Sequence, residues 1–416
     1  MRPSVRIVAY SPEMAAFGDR EFWQDGALKC AAGAAAAAAV SIAASQILLG
    51  AALACMLIAR VRWRLPQGWP LLAVFFLWTL AALALSDAPG AGWPQVRKFY
   101  AWLAVFAVLS TVSGLQHARW LAWGWLAGGA ASALWGCGQF VAKYMAAQQA
   151  GADFYVSYIG ARITGFNSHW MTFSGQMMIA LMAGGALALW APERGRRRRL
   201  AWACLAVMAA ALVLAMTRGV WIGAFAGGLY LLWQWRRRAA AALPVAAALI
   251  VLAGPAEVRQ RALSIVKPHG VTDSNLHRIY TWRTGVEMIR KHPWFGVGPE
   301  RVGAHFRAHI PADLPPEPPP GYYAHLHNIY LHWAAERGVP AALAAVLFFV
   351  WQMMLAWRRA RTCAAEQRWV HHGAAAVLLA VLVTGLFEYN LGDSEVLAMT
   401  LGWTAVSDRL GRLAAA

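Results

Sequence analysis

The sequence predicts an all-α, polytopic membrane protein with about twelve transmembrane helices. Of its 416 residues, 60% are hydrophobic and 13% are charged, and the mean hydropathy is +0.45, values that are typical of membrane proteins. Several apolar runs are long enough, or nearly so, to cross a hydrocarbon layer of about 30 Å. Their backbones must be helical, because lipid offers no hydrogen-bond partners. These runs are Leu71 to Leu85, Leu200 to Met216, Val220 to Trp235, Ala341 to Trp357 and Ala374 to Phe387.

Short arginine clusters predict how the chain is oriented in the membrane. The net charge is +18, but the basic residues lie beside apolar runs and not along one continuous helix face, so we expect no nucleic-acid partner. Each cluster follows an even-numbered predicted span, and the positive-inside rule therefore places these ends and both termini in the cytoplasm. The clusters are Arg60, Arg62 and Arg64; Arg194 and Arg196 to Arg199; Arg236 to Arg238; and Arg358, Arg359 and Arg361.

The predicted spans begin near residues 27, 45, 70, 98, 119, 168, 200, 219, 239, 327, 369 and 392. No charged residue divides the stretch from Cys30 to Ala59, which can form one long helix or two helices that break around Ser41 to Gln46. We predict two helices, because a single one would place Arg196 to Arg199 outside, against the positive-inside bias. The predicted domains are a cytoplasmic N-terminal leader at 1–26, transmembrane helices 1–9 at 27–254, a large periplasmic loop at 255–326, transmembrane helices 10–12 at 327–408 and a cytoplasmic tail at 409–416.

The segment 255–326 holds about seventy residues, a length that predicts a functional element with short helices of its own. Apolar residues recur at roughly helical spacing from Leu276 to Ile289, Ser274 can cap this helix, and His292-Pro293 ends it. A second short helix is predicted from about Glu300 to His309. The proline tract at 315–320 then forms a stiff extended strap that can let the loop close over a cavity.

Cysteine spacing and acid distribution disfavour several kinds of chemistry. The five cysteines show no CxxC spacing, which predicts neither a zinc site nor a disulfide framework. No Asp-x-Asp occurs, and this disfavours a nucleotide-sugar transferase that depends on a divalent metal. The predicted external acids are few and scattered, a poor fit to glycosidase chemistry with two carboxylates. We expect neither a metal nor a cofactor.

A group of titratable and polar side chains lies where the long loop ends and the next apolar span begins. Its members are His325, His327, Asn328, Tyr330 and His332. A histidine here can be an ordinary hydrogen-bonded interfacial residue, or it can take a proton from a hydroxyl, since imidazoles titrate near neutral pH. Helical offsets place Glu336 on roughly the opposite face from His327, so we do not expect these two side chains to pair.

Arginines on the predicted outer side also have two interpretations. Arg218 interrupts two apolar helices with almost no loop, Arg162 precedes the sixth span, and Arg278 and Arg283 belong to the predicted loop helix. Each can attract lipid headgroups or solvate an exposed face. Alternatively, some of them hold an anionic ligand, because the guanidinium fork suits phosphate oxygens.

Three short motifs resemble those of the O-antigen ligase family, within the O-antigen ligase and polymerase superfamily of bacterial membrane glycosyltransferases. His-Asn-Ile-Tyr-Leu at 327–331, followed by Glu-Arg-Gly at 336–338, resembles the family's His-Asn-x-x-Leu…Glu-x-Gly signature. Thr-Arg-Gly-Val-Trp at 217–221 resembles its Ser/Thr-Arg-Gly-x-Trp turn. His-Pro-Trp-Phe-Gly-Val-Gly-Pro at 292–299 resembles its His-Pro-x-x-Gly-x-Gly-Pro segment.

This resemblance implies a C-type glycosyltransferase-like fold in the bacterial inner membrane, with the active site facing the periplasm. It implies a metal-independent, inverting transfer of glycan from undecaprenyl pyrophosphate to a sugar hydroxyl of lipid A-core. The expected partners are this lipid-linked glycan donor, the lipid A-core acceptor and membrane lipids. The catalytic residues are expected to be His327, Arg218 and Arg162. The expected substrate-binding residues are His325, Asn328, Tyr330, Arg278 and Arg283.

Other functions also fit the sequence. An O-antigen polymerase and a protein O-oligosaccharyltransferase belong to the same superfamily. A polysaccharide transporter or flippase fits less well, because its site would lie near the bilayer midplane between repeated halves, whereas the titratable groups of this chain cluster at one face. Glu388, Asp393 and Glu395 lie at the predicted outer corner of the last two spans, where they can pair with arginines or remain solvated.

Overall fold

The structure of the protein, a computed structural model, describes residues 12–265, 274–319 and 321–414. Within these residues the regular structure is entirely helical, in agreement with the predicted all-α class. The α-helices are α1 (Pro12–Ala37), α2 (Ile42–Ile58), α3 (Trp69–Ala84), α4 (Pro89–Arg97), α5 (Phe99–Thr111), α6 (Leu115–Gln149), α7 (Phe154–Gly160), α8 (Trp170–Trp190), α9 (Gly195–Leu214), α10 (Arg218–Trp235), α11 (Arg237–Ala253), α12 (Ala256–Leu263), α13 (Ser274–Lys291), α14 (Val302–His305), α15 (Ile329–Arg337), α16 (Val339–Thr362), α17 (Arg368–Gly385) and α18 (Ser394–Leu413).

Three segments of the described chain are both long and apolar enough to cross a membrane: Trp170–Trp190, Val339–Thr362 and Ala365–Gly385. Two apolar helices, Ile42–Ile58 and Trp69–Ala84, are shorter. The helices α2, α3, α5, α6, α8 to α11, α17 and α18 each begin close to a predicted span start. The count of about twelve transmembrane helices, the sidedness of the chain and the domain boundaries stay predictions.

The N-terminal apolar stretch forms two helices, as predicted. α1 ends at Ala37 and α2 begins at Ile42, where the Ser41 hydroxyl accepts a hydrogen bond of 3.3 Å from the backbone N–H of Ala44. α1 begins at Pro12, before the predicted start of the first span near residue 27, which stays a prediction. Part of the predicted leader 1–26 is therefore helical, and an ion pair of 2.7 Å between Lys29 and Asp25 joins one turn of it to the next.

The predicted tenth span, beginning near residue 327, is wrong as a single helix. It consists of the short α15 and the longer α16, which meet at Gly338. Gly338 has φ +87, a value that favours glycine, and a Cβ atom there would overlap the carbonyl group of Trp294. Pro340 follows at the start of α16 and lacks the N–H that an uninterrupted helix would need.

The centre of the bundle consists of α8, α10 and α17. About four fifths of the apolar window is buried inside the protein for both α8 (83%) and the segment that contains α17 (78%). α10 approaches α17 closely because it presents glycine at Gly223 and Gly227, where a Cβ atom would meet the backbone oxygens of Ala380 and Ala376. Small residues at helix contacts allow this approach in membrane bundles.

After α11, residues 255–265, 274–319 and 321–326 form a cap over one end of the bundle. We name this end of the bundle the loop end. α13 ends at Lys291, directly before His292-Pro293, as predicted. The predicted helix from Glu300 to His309 is shorter in the structure, with α14 followed by a 3-10 turn at Arg307–His309. Glu300 has φ +61 and cannot start a helix. The Ser274 side chain and Pro320 lie outside the described residues.

The cap has a small apolar core of its own. It consists of Tyr280, Met288, Val297, Val302, Phe306, Leu326 and Ala335. Three backbone hydrogen bonds join the 293–298 turn to the helices beneath it: Val297 N–H to the Ala335 oxygen at 2.8 Å, Gly298 N–H to the Glu336 oxygen at 3.0 Å and Val339 N–H to the Pro293 oxygen at 2.8 Å. These bonds therefore fix the cap on α15 and α16, and with it the histidine segment 325–332 that connects the cap to α15.

Candidate active site

A cavity of about 230 Å³ lies at the loop end, between the cap and the bundle. The three predicted catalytic residues His327, Arg218 and Arg162 all line it, although they come from separate parts of the sequence. The complete lining is Arg162, Trp170, Met171, Thr217, Arg218, Arg261, His277, Arg278, Tyr322, His327 and Glu388. Four arginines thus share one small space with one carboxylate.

His327 enters the cavity from a strained piece of backbone. Its φ is +47, in the left-handed region that residues other than glycine seldom adopt. The next residue, Asn328, has extended backbone and caps α15, since its side-chain oxygen accepts from the N–H groups of Tyr330 and Leu331, each at 3.0 Å. The cap at Asn328 therefore fixes the imidazole of His327 at the start of α15. Strained backbone of this kind is common at functional sites.

Glu388 is the acidic partner of this site. The residue is 3% exposed, and its carboxylate accepts a hydrogen bond of 2.7 Å from Arg278 and lies 3.7 Å from Nδ1 of His327. Burial alone would raise the pKa of Glu388, but the charge of Arg278 and the contact with His327 outweigh it and hold this pKa below its usual value. Glu388 is therefore ionised and faces both a guanidinium and an imidazole.

Arg218 is the first residue of α10 and is almost completely buried. Its guanidinium donates to the hydroxyl of Ser264 at 2.8 Å and to the side-chain oxygen of Asn275 at 2.9 Å. These contacts come from the segments before and after the undescribed residues 266–273, so Arg218 ties the cap to the bundle. The N-terminus of a helix also favours anions, which adds to the positive potential at this point.

Arg162 and Arg261 meet at the carbonyl oxygen of Met216, to which they donate at 3.2 and 3.0 Å. Arg162 also lies over the ring of Trp170, with its guanidinium carbon 4.6 Å from the ring centroid. Burial and, to a lesser degree, the charge of Arg261 lower the pKa of Arg162 to about 9. An anion in the cavity would relieve this repulsion between like charges.

Several buried polar atoms at the cavity wall make no hydrogen bond within the described residues. They are Nε1 of Trp170, Nε2 of His277, Nε of Arg278 and Oε2 of Glu388. Unpaired buried polar groups are rare in folded proteins, because each loses its hydration without compensation. Two of the four, Nε1 of Trp170 and Nε of Arg278, are donors, which suits a ligand with acceptor oxygens.

A second cavity of about 210 Å³ adjoins the first and shares Arg218 and Arg278 with it. The remainder of its wall is mostly apolar: Gly219, Ile222, Ile265, Asn275, Ile279, Trp282 and Phe387. Ile265 and Ile279 are more than two fifths exposed, so this side of the cap presents apolar surface to its surroundings. A charged cavity and an apolar one therefore meet at two guanidinium groups.

The predicted substrate-binding residues divide into four groups, of which Arg283 is the last. Arg278 lines both cavities. His325 packs beside His327, with ring centroids 4.5 Å apart, and burial, followed by the His327 charge, lowers the pKa of His325 to about 3. Asn328 and Tyr330 bind protein backbone, since their side chains donate to the carbonyl oxygens of Leu386 and Leu382.

Arg283 lies away from both cavities. Its guanidinium forms an exposed ion pair of 2.6 Å with Asp313, within the cap. This contact joins α13 to the segment that precedes the proline tract. Arg283, Asn328 and Tyr330 each make a contact within the protein. Their substrate-binding roles stay predictions.

The sequence analysis did not single out His277, Trp170 or Arg261 as site residues. The sequence does contain one pattern that points to His277. With Arg278 and Thr281 it forms a polar stripe on α13, at spacings of one and four residues, opposite the exposed Ile279. The ring of His277 lies 5.1 Å from that of His327. No spacing rule connects Trp170 to Arg162, because a loop separates them.

Glu336 does not pair with His327, as predicted from helical offsets. It forms an ion pair with Arg337 at 3.1 Å, lies 3.6 Å from Nε2 of His332, and accepts a hydrogen bond of 2.7 Å from the Glu300 backbone N–H. Through the Glu300 backbone, this buried group joins α15 to the cap. Among the described residues, no group of three or more histidine, cysteine or acidic side chains could hold a metal ion.

The family comparison covers the middle of the chain. Residues 203–346 match the family model described as O-antigen ligase. This segment contains Arg218, Arg261, Arg278 and His327, together with the whole cap. No match was found among curated proteins. Over residues 203–346, about a third of its length, the chain is similar to the O-antigen ligase family.

Proposed function

We propose that this protein is an O-antigen ligase of the bacterial inner membrane. It transfers glycan from undecaprenyl pyrophosphate to a sugar hydroxyl of lipid A-core, with inversion and without a metal ion, at a site that faces the periplasm. The observation that carries this proposal is the convergence of His327, Glu388 and four arginines on one cavity. The family match supports the reaction class.

The arginines suit the leaving group. When the bond between the anomeric carbon and the pyrophosphate oxygen breaks, the electron pair stays on that oxygen and negative charge grows there. Guanidinium groups that are fixed before the reaction stabilise this charge without reorganisation. Arg218 and Arg162 are held by protein contacts on their inner sides, so their geometry is set in advance.

His327 suits the role of general base. The acceptor hydroxyl oxygen forms the new bond to the anomeric carbon, and its proton passes to the imidazole. Nδ1 of His327 lies on the side of Glu388, and a carboxylate there favours the tautomer that carries hydrogen on Nδ1 and leaves Nε2 able to accept. Glu388 also stabilises the imidazolium that the transfer produces.

The apolar cavity suits the lipid part of the donor. It meets the charged cavity at Arg218 and Arg278, which is the arrangement that a pyrophosphate joined to an isoprenoid chain requires. Its exposed isoleucines provide a route by which such a chain can reach the surrounding hydrocarbon. A polymerase would use the same donor, so this feature supports the superfamily and not the choice of acceptor.

The decisive experiment combines purified protein with lipid-linked glycan and lipid A-core, with and without a chelator. We expect a glycan–lipid A-core conjugate in both conditions. If no conjugate forms while the free lipid-linked chains lengthen, the protein is a polymerase. Conjugate formation that is abolished by the chelator and restored by a divalent ion would contradict the metal-independent mechanism.

A further inference from the structure

A third cavity, larger than the active site and its apolar neighbour, lies apart from both. It has a volume of about 740 Å³ and lies between the ends of α2, α4, α5 and α18. Its wall combines two cations, Arg97 and Lys98, with the aromatic side chains of Trp93, Phe99 and Tyr100. Gln46, Pro94, Val96, Ala101, Leu103 and Ser394 complete it.

This cavity, which we name the α4–α5 cavity, lies at the loop end like the active site. The corner between α17 and α18 separates the two, because Glu388 at its start lines the active site and Ser394 at its end lines the α4–α5 cavity. Lys98 donates to the carbonyl oxygen of Gly392 in this corner, at 3.4 Å. The segment before α4 is tied to the cap by the ion pair of Arg301 with Asp87, at 2.7 Å.

Among the residues that the structure describes, neither Arg97 nor Lys98 forms a salt bridge, although the charge of Asp393 acts on Lys98. Arg97 is exposed and has no carboxylate partner among them. The contact of Lys98 is a neutral carbonyl group. The acid beside it in the corner, Asp393, accepts a hydrogen bond of 3.0 Å from Thr172. Arg97 therefore remains available for an anion, and Lys98 beside it adds positive charge that Asp393 offsets in part.

The remainder of the wall suits a lipid. Trp93 is 54% exposed, and aromatic rings of this kind favour the interface between headgroups and hydrocarbon. Ser394 begins α18, whose N-terminal N–H groups add positive potential. The combination of cations, rings and apolar side chains matches a molecule with both phosphate groups and acyl chains.

We propose that the α4–α5 cavity binds the phosphate-bearing lipid part of the glycan acceptor, while the sugars of that acceptor extend over the 388–394 corner to His327. This assignment rests on the proposed ligase function for the identity of the acceptor. The chemistry itself, an anionic lipid held by Arg97 and Lys98, also fits a phospholipid of the bilayer, and the test separates these two sources.

The test measures binding and does not require glycan transfer. The full-length protein, in nanodiscs of neutral phospholipid, is titrated with purified lipid A-core, with the same lipid after enzymatic removal of its phosphates, and with phosphatidylglycerol. The variants are the double variant Arg97→Ala/Lys98→Ala, the charge-conserving Arg97→Lys, and Arg290→Ala as a matched control. Arg290 is an exposed cation of α13 that lines none of the three cavities.

We expect the double variant to bind lipid A-core about tenfold or more weakly, since hydrogen bonds between charged groups commonly contribute that much. Arg97→Lys and Arg290→Ala should bind it like the unmodified protein. The dephosphorylated lipid should bind the unmodified protein and the double variant equally weakly. A properly folded double variant is recognised by unchanged binding of the lipid-linked donor.

Two results would overturn the proposal. The first is equal affinity of the double variant and the unmodified protein for lipid A-core. The second is an equal loss of affinity for phosphatidylglycerol, which would make the cavity a site for bilayer phospholipid. Failure of the ligase function has a different signature, because a protein that binds lipid A-core through Arg97 and Lys98 but never conjugates it retains the binding difference between the variants.

Discussion

His327 and Glu388 face each other across the candidate active site, with Nδ1 of the imidazole 3.7 Å from Oε2 of the carboxylate. His327 lies just before α15, and Glu388 follows α17. The distance is longer than a hydrogen bond, so the carboxylate acts on the ring mainly through its charge. This pair joins the cap to the last helices of the bundle and gives the imidazole a preferred orientation.

Replacing His327 tests the general base. We expect His327→Ala to lower the rate of conjugate formation by about a hundredfold or more, since a positioned base commonly contributes this factor. The control is His292→Ala, because His292 is an exposed imidazole at the end of α13 and lines neither cavity of the site. Equal activity of His327→Ala and His292→Ala in the purified system would remove His327 from the mechanism.

Replacing Glu388 tests the orientation of the imidazole. Glu388→Gln keeps an oxygen that can accept from Arg278 but removes the negative charge, so we expect a loss of transfer of about tenfold to a hundredfold. The loss should appear in kcat more than in the KM for the donor, because the carboxylate acts through His327. A change confined to the donor KM would instead indicate that Glu388 positions Arg278.

The same variant should change how stability depends on pH. Because the pKa of Glu388 in the fold is lowered from its usual 4.5, its ionised form stabilises the folded state above that pH. This contribution is lost as the pH falls through the lower, folded-state pKa. Melting temperatures measured in detergent from neutral to acidic pH should therefore fall less steeply for Glu388→Gln than for the unmodified protein. Parallel curves would contradict the assignment.

Arg218 tests whether the site needs a guanidinium or only a positive charge. Arg218→Lys should lower transfer by about a hundredfold, nearly as much as Arg218→Ala, because a lysine cannot hold Ser264 and Asn275 while it presents a fork to phosphate oxygens. Arg283→Lys is the matched control, since its exposed pair with Asp313 lies within the cap. A comparable loss in Arg283→Lys would support the predicted substrate-binding role of that residue.

The break between α15 and α16 tests how the cap is seated. Gly338→Ala places a Cβ atom against the Trp294 carbonyl at φ +87, so we expect a loss of stability of at least about 1–3 kcal/mol from backbone strain. Gly138→Ala is the control, because Gly138 lies within α6 with no neighbouring atom near a new Cβ. Alanine there should be neutral or stabilise by up to about 1 kcal/mol. Both effects can be read from thermal unfolding monitored by size-exclusion chromatography.

Much of the site could be predicted from short segments of sequence. Arg218, Arg162 and His327 each carry a local signal: a charge between apolar helices, a charge before a span, and a histidine cluster at a helix start. The structure brings all three to one cavity. Arg278 and Arg283 show the limit, because both lie on α13 and their local patterns do not separate the partly buried Arg278 from the exposed Arg283.

The sequence by itself determined the helical class, since an apolar chain in lipid must satisfy its backbone hydrogen bonds within each helix. It also determined many helix boundaries, because caps and turns such as Ser41 before α2 and His292-Pro293 after α13 are local features. Only the tertiary structure decided that Glu388 lies opposite His327, that α15 and α16 separate at Gly338, and that Arg97 and Lys98 face an open cavity. These relationships depend on contacts between distant segments, and the packing of side chains across helices, not the spacing along one helix, sets them.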